Sequence, residues 1–401
     1  MTEAAVATGR VVADRYVVGR MLGCGTMGTV RAAFDLDLDK EVAIKFISTD
    51  ELSHEETVER FRREVRVAAR IKSEHVVRVL DVGSLLDGTP FMVMELLEGH
   101  GLDAERDLRG VVPVDEAVGY VLPAIEVLAE AHAQGVVHRD IKPANLFLEN
   151  RVDEPRFVKV LDFGVSKSAV ELTSRESAIT KTGMIMGSPL YMAPEQLRST
   201  HAADARADIW SLGAILFELV TGFTAHQGDS VAEICATLLR DPPRPITDFG
   251  SELPPGFAEV VMRCLEPDPR RRYSNVAELG AALLPFYPRG KVHVERARRV
   301  LAQGPAESTD AVERAPASDS PVTLQVGNDS EESDERATAA RRRADSLGDD
   351  TDNFGGFKVA RVAMAFALIG IGMGTAFVVE LPRIHRTKPA APAAAANTAP
   401  S

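Results

Sequence analysis

The sequence predicts an α+β protein, followed by a disordered linker and one transmembrane helix. Three observations predict this. Thr29–Phe34 and Glu41–Ile47 read as two strands joined by a charged turn; in the second, Val42, Ile44 and Phe46 alternate with Ala43, Lys45 and Ile47. Glu55–Lys72 reads as an amphipathic helix, with Val58, Phe61, Val65, Ala68, Ala69 and Ile71 at helical spacing. Val362–Val379 carries no charge, and ~18 residues at ~1.5 Å each span ~27 Å, the depth of a bilayer core.

The first strand pair follows a glycine-rich stretch, Leu22-Gly23-Cys24-Gly25-Thr26-Met27-Gly28-Thr29-Val30. By itself G-x-G-x-x-G also fits a dinucleotide-binding turn, but that turn opens a helix. Here the glycines run into a strand. Glycines without Cβ atoms let a backbone lie close over a bound anionic group. Lys45, alone, would be read as a strand end; placed after this loop it acquires a second reading as a phosphate-binding cation.

Two further motifs carry the chemistry. His138-Arg139-Asp140-Ile141-Lys142-Pro143-Ala144-Asn145 supplies a carboxylate for acid–base work and an amide metal ligand. Asp162-Phe163-Gly164 supplies a second carboxylate. In this order and at this spacing the two resemble the catalytic loop and the metal-binding triplet of protein kinases. Val42-Ala43-Ile44-Lys45 is similar to the third strand of that family, and Phe61-Arg62-Arg63-Glu64 to its helix with an ion-pairing glutamate. Lys142-Pro143-Ala144-Asn145 is the serine/threonine form. The resemblance covers Tyr16 to Tyr287 and is to the eukaryotic-like Ser/Thr protein kinases of bacteria.

The resemblance implies a two-lobed fold: a small antiparallel sheet with one helix, then a mostly helical lobe, with ATP between them. It implies that Leu22 to Val30 cover ATP, with Val30 on the adenine, and that Ala43, Glu95 and Leu97 complete the nucleotide site. Lys45 would reach the phosphates, held by Glu64. Asp140 would accept the substrate hydroxyl proton, Lys142 would neutralise the transferring phosphate, and Asn145 and Asp162 would hold Mg2+, or Mn2+ in its place. His138 would pack behind the loop.

The segment from Asp162 to Ala193-Pro194-Glu195 contains Thr173, Ser174, Ser177, Thr180 and Thr182. Thr180 and Thr182 stand where the resemblance implies autophosphorylation, with Arg139 ready to take the phosphate. Ser188 replaces the family's usual threonine and keeps its hydroxyl. Asp208 would hold the catalytic-loop backbone, and Glu195 would pair with Arg272. The expected activity is transfer of phosphate from ATP to protein Ser/Thr hydroxyls. The alternative is a membrane-anchored pseudokinase scaffold; the intact set Lys45, Glu64, Asp140, Asn145 and Asp162 argues against it.

Composition sets the remaining bounds. The chain has 401 residues, 45% hydrophobic, enough for a sizeable core, and more than one segment is expected. A net charge of -13 argues against a nucleic-acid surface. Cys24, Cys235 and Cys264 are 3, widely spaced, and form neither a disulfide framework nor a metal site. Met1–Arg20 lacks the pattern of a cleavable signal.

The expected organisation is an N-terminal extension over 1–15, a catalytic domain over 16–287 and a disordered acidic linker over 288–357, in which Pro288–Arg299 reads as a last helix or a basic tether. A membrane span follows over 358–380, then a Pro/Ala-rich tail over 381–401. The linker is rich in Ser, Asp, Glu, Ala and Pro, as in Ser330-Glu331-Glu332-Ser333-Asp334-Glu335, and cannot offset its ordering entropy by burial. Basic residues lie on both sides of the span and lean only slightly to the N-terminal side. ATP use puts the catalytic domain in the cytoplasm and the tail outside. Gly370 and Gly374 form a G-x-x-x-G spacing that would let two such helices pair in a homodimer.

Overall fold

The computed structural model describes residues 7–25, 28–47, 65, 68–153, 155–162, 189–198, 203–249 and 252–304. The chain divides into two units, Met1–Leu347 and Gly348–Ser401, and every described residue lies in the first. The expected span, linker acidic run and tail fall outside the described residues. Among the described residues no helix is long and apolar enough to cross a membrane.

The N-terminal part is a six-stranded antiparallel sheet made of β1 (Val11–Val12), β2 (Tyr16–Gly25), β3 (Gly28–Asp35), β4 (Lys40–Ile47), β5 (Val79–Ser84) and β6 (Pro90–Glu95). Its spatial order is β1-β2-β3-β4-β6-β5. Central β4 is buried on both faces. Val42, Ile44 and Phe46 pack with Tyr16, Val18, Phe91 and Val93, while Ala43 and Ile47 pack with Val77, Met92 and Met94. The period-2 alternation therefore separates two apolar layers, and Lys45 lies on the second. β1 belongs to this sheet, pairing Val11 with Val17 and Val12 with Tyr16. The expected extension over 1–15 is thus in part structural: Val12 is buried and fills the sheet's first face.

The expected helix over 55–72 is described only at residue 65 and at residues 68–70, which are helical; residues 71 and 72 have left it. Lys72 N–H and Ser73 N–H instead bond the Glu130 carboxylate, which accepts the donors of the departing chain.

A small three-stranded sheet follows, in the order β7 (Gly99–Gly101), β8 (Leu146–Asn150) and β9 (Pro155–Val160). The helical part comprises α1 (Leu102–Arg109), α2 (Val114–Ala133), α3 (Pro194–Arg198), α4 (Arg206–Thr221), α5 (Val231–Arg240), α6 (Phe257–Cys264), α7 (Val276–Leu283) and α8 (Lys291–Gln303). α2 and α4 are buried nearly all round, as helices apolar on every face must be. α4 ends at Gly222, whose left-handed φ of 75° lets its N–H bond Glu218 O. Gly213 lets α4 approach α6: a Cβ there would lie 2.4 Å from Cys264 Cβ.

The sequence boundary at Tyr287 is corrected by α8. Val294 and Ala297 are fully buried, and Arg296 Nη1 lies 3.0 Å from Glu126 Oε1 on α2. The compact region therefore runs to Gln303. Of the two readings of Pro288–Arg299, a last helix or a basic tether, the structure shows the helix; two buried apolar residues in a basic stretch are too faint a signal to decide it from sequence.

Candidate active site

Lys45 reaches the site because β4 puts it opposite Val30 on β3 and Met92 on β6. Its ammonium is almost entirely out of water and lies 2.7 Å from Asp162 Oδ1, 117 residues later in the chain. Glu64, the expected partner of Lys45, lies outside the described residues, as do Thr26 and Met27. Val30, Ala43, Met94 and Leu97 belong to one apolar cluster on the face that carries Lys45.

The glycines of the loop do different work. A Cβ on Gly23 would meet nothing within 4 Å, so open space lies beside it. Gly28 has φ +139°, and a Cβ there would fall 1.8 Å from Phe46 O, so its glycine is demanded by the hairpin itself. Leu22 and Cys24 are exposed, whereas Thr29 is buried, its hydroxyl 3.9 Å from Cys24 Sγ. The Glu95 carboxylate bonds the Lys159 ammonium and the Arg78 N–H, and its own N–H bonds Arg78 O, so this side chain, expected at the nucleotide, is engaged with β9 and the strand edge.

Asp208, fully buried near the start of α4, organises the loop that carries Asp140. Its carboxylate accepts the N–H groups of His138 at 2.9 Å and Arg139 at 2.8 Å, and lies 2.8 Å from His132 Nε2. Burial opposes ionisation of this carboxyl, but the hydrogen bond from His132 and these charge and backbone contacts outweigh it and hold it below the usual carboxylate range. His138 is buried completely, and burial pushes its imidazole pKa down. It accepts the Asp140 N–H at Nδ1, so Nε2 carries the proton and meets Leu161 O at 3.4 Å. The ring is a neutral strut between the loop and the strand end before Asp162.

Pro143–Asn145 forms a single 3-10 turn after Asp140. Asn145 Nδ2 donates to Asp140 O at 2.7 Å, and Lys142 Nζ stands 3.1 Å from Asp140 Oδ2. Arg139 and Asp162 both adopt positive φ, 63° and 41°. Each such non-glycine residue costs about 1–3 kcal/mol, and such costs cluster at functional sites. Sequence reasoning missed Gln196, which is buried and donates from Nε2 to Arg139 O at 3.1 Å while accepting the Ala193 N–H. It also missed His132 and Lys159. His132 and Lys159 are polar residues in apolar stretches, and that was the signal available; Gln196, in Pro194-Glu195-Gln196-Leu197-Arg198, offered none.

Arg272 holds Glu195 by two bonds, at 2.7 and 2.9 Å. Arg139 donates from Nη2 to Ala203 O at 3.2 Å, and its Nε is buried with no hydrogen-bond partner among the described residues. Thr180 and Thr182 lie outside the described residues.

The donor set suits a hard divalent cation. With Asn145 Nδ2 committed to Asp140 O, the Asn145 carbonyl oxygen remains as a ligand. With Asp162 Oδ1 on Lys45, Asp162 Oδ2 remains among the described residues. Oxygen donors of this kind fit Mg2+ shared with phosphates. The lysine ammonium beside them, and the open space at Gly23, fit a polyphosphate.

Comparison with known proteins agrees with this geometry. The protein kinase domain family matches residues 16–282. The chain is 34% identical over 307 residues to the serine/threonine-protein kinase pkn3 of Myxococcus xanthus, covering 76% of this chain and 54% of that one. It is 34% identical over 304 residues to a probable serine/threonine-protein kinase PknB of Corynebacterium glutamicum, covering 74% and 46%. The chain thus spans about half the length of these curated relatives. The crystal structure of the Mycobacterium tuberculosis PknI kinase domain superposes with a TM-score of 0.55 at 27% identity, covering 70% of this chain and 100% of that one. The chain belongs to the protein kinase family, and the relatives it matches are serine/threonine protein kinases of bacteria.

Proposed function

We propose that this chain is a membrane-anchored Ser/Thr protein kinase that transfers the γ-phosphate of ATP to protein hydroxyls. One observation carries the reading: the 2.7 Å contact between Lys45 Nζ and Asp162 Oδ1, which joins the strand sheet to the segment after the catalytic loop. In this reading Asp140 takes the proton of the incoming hydroxyl, and Lys142 beside it stabilises the negative charge of the transferring group. Lys45, desolvated and fixed by β4, anchors the phosphates, and the face of Val30, Ala43 and Leu97 takes the adenine. Asn145 and Asp162 would hold Mg2+, which when bound neutralises and orients the phosphates. Arg139 takes a phosphate placed on Thr180 or Thr182; its buried Nε, without a hydrogen-bond partner among the described residues, supports that role. Val362–Val379 anchors the chain with the catalytic domain in the cytoplasm, supported by its uncharged length and the need for ATP.

The test is phosphate transfer by the full chain with Mg-ATP, to itself and to a generic basic protein. Lys45→Met and Asp140→Asn should each lower the rate by about 10²–10⁴-fold. Equal rates in both variants and the parent would leave a nucleotide-binding scaffold. Mass spectrometry should find phosphate on Thr180 and Thr182. A reporter active only outside the cytoplasm should be active when fused after Ser401.

A further inference from the structure

Away from the cleft, three segments distant in sequence bring polar side chains together. His75 comes from the stretch before β5, Glu126 from the middle of α2 and His293 from α8. One ligand-capable atom from each lies within 4.8 Å of those of the other two. His75 and Glu126 are 5% and 2% exposed, and His293 is half-buried.

Each side chain is already oriented. His75 Nδ1 lies 2.8 Å from Val158 O. A carbonyl only accepts, so Nδ1 carries the proton and Nε2 presents a lone pair. Its ring stacks on Phe157 at 4.3 Å, which fixes its plane. The Glu126 Oε1 atom accepts from Ser73 Oγ and from Arg296 Nη1 at 3.0 Å, while Oε2 lies 2.8 Å from His293 Nδ1. Arg296 also has Glu130 at 3.8 Å, so its charge is shared between two carboxylates.

Ligands of protein metal centres are held by outer hydrogen bonds in this manner, and two imidazoles with one carboxylate suit Zn2+. We propose that His75, Glu126 and His293 form a Zn2+ site that clips α8 to α2 and to the segment leading into β5. Ligand atoms ~2.0–2.1 Å from a tetrahedral ion stand ~3.3 Å apart. The His293–Glu126 pair must open by about half an ångström from 2.8 Å, and the separations of up to 4.8 Å must close by about 1.5 Å. Side-chain rotation of His293, at the half-buried edge, together with small shifts of His75 and Glu126, supplies these changes. Ser73 and Arg296 keep the other carboxylate oxygen, and water completes the fourth position.

The test uses the full chain stripped by a chelator and reloaded with ZnCl2. One zinc per chain should remain after gel filtration. The melting temperature should rise by roughly 5–10 °C at about 100 times Kd. Co2+ in place of Zn2+ should give the intense visible absorption of a four-coordinate ion, which an octahedral ion among the oxygens of Asn145 and Asp162 does not give. His293→Ala and Glu126→Gln should lose the zinc, the melting shift and the spectrum. Should Glu126→Gln fail to fold, His293→Ala carries the test, since its ring sits at the helix surface. A parent chain that retains no zinc, or a folded His293→Ala chain that keeps zinc and spectrum, overturns the site.

Discussion

Arg272 and Glu195 face each other through two parallel hydrogen bonds across 77 residues of sequence. The Arg272 side chain is wholly out of water, lies 4.9 Å over the Trp210 ring and also donates to Glu266 O and Arg206 O. It ties α3, where the segment after Asp162 re-enters the helical part, to the start of α4 and the turn before α7. Arg272→Ala leaves the Glu195 charge without its partner and should lower stability by about 3–5 kcal/mol. Arg272→Lys should recover little, because an ammonium cannot reproduce the fork. Urea unfolding of the three chains measures this; an unchanged midpoint would show the pair to be dispensable.

Asp208 serves two backbone N–H groups and one imidazole at once. Asn at this position presents a single acceptor oxygen, so one buried donor must go unpaired. Asp208→Asn should cost about 1–3 kcal/mol of stability. By misplacing Asp140 it should also slow phosphate transfer by about 10–100-fold, the same energy scale expressed in rate. A variant that transfers phosphate at the parent rate would show that the loop holds its shape without this carboxylate.

Acid should weaken the N-terminal sheet through Asp35. Its hydrogen bond from Arg15, at 2.8 Å on each oxygen, holds this carboxyl below its ordinary pKa despite burial. A carboxyl depressed in the folded state contributes stability that is complete above the unfolded pKa of about 3.9 and is lost as pH falls through the lower folded value. Asp35→Asn should therefore be less stable than the parent at pH 7, with the gap closing below about pH 4. Melting curves across pH test the sign; a gap that widens in acid would contradict it.

A chain ending at Tyr287 should be far less stable than one ending at Gly304. Deleting α8 uncovers the surface of α2 that Val294 and Ala297 cover, and each fully buried valine-sized side chain contributes about 1.5–3 kcal/mol. It also strips Glu126 of both Arg296 and His293. Denaturant midpoints of the two chains decide; equal midpoints would return 288–304 to the linker.

What could be read from the sequence was whatever local pattern encodes. The β3–β4 hairpin was legible because Val42, Ile44 and Phe46 keep period 2 and Gly28 precedes them. The residues proposed to carry the chemistry, Lys45, Asp140, Asn145 and Asp162, stand out in the sequence because motifs fix their spacing. What was not legible depends on contacts between distant segments. Lys159 reads as an ordinary strand lysine until β9 brings it to Glu95. Gln196 has no signal at all until it meets the carbonyl of Arg139. Val11 and Val12 form too short a run to announce a strand, and only pairing with β2 makes them one. The α8 helix hides its two buried residues among basic ones, so a last helix and a basic tether both stayed open.

The register of β4 bears on fidelity as well as on geometry. Lys45 stands opposite Val30 and Met92, with Ile44 and Phe46 turned into the other layer. A slip of one residue would reverse the faces. The ammonium would then enter the dry layer of Tyr16, Val18 and Phe91, and an isoleucine or phenylalanine would confront Asp162. A molecule with that error would be inactive and unstable for one and the same reason. Misassembled copies would thus unfold and be cleared rather than persist as inert impostors competing for substrate, so the buried cation of a central strand acts as the sheet's own proofreading mark.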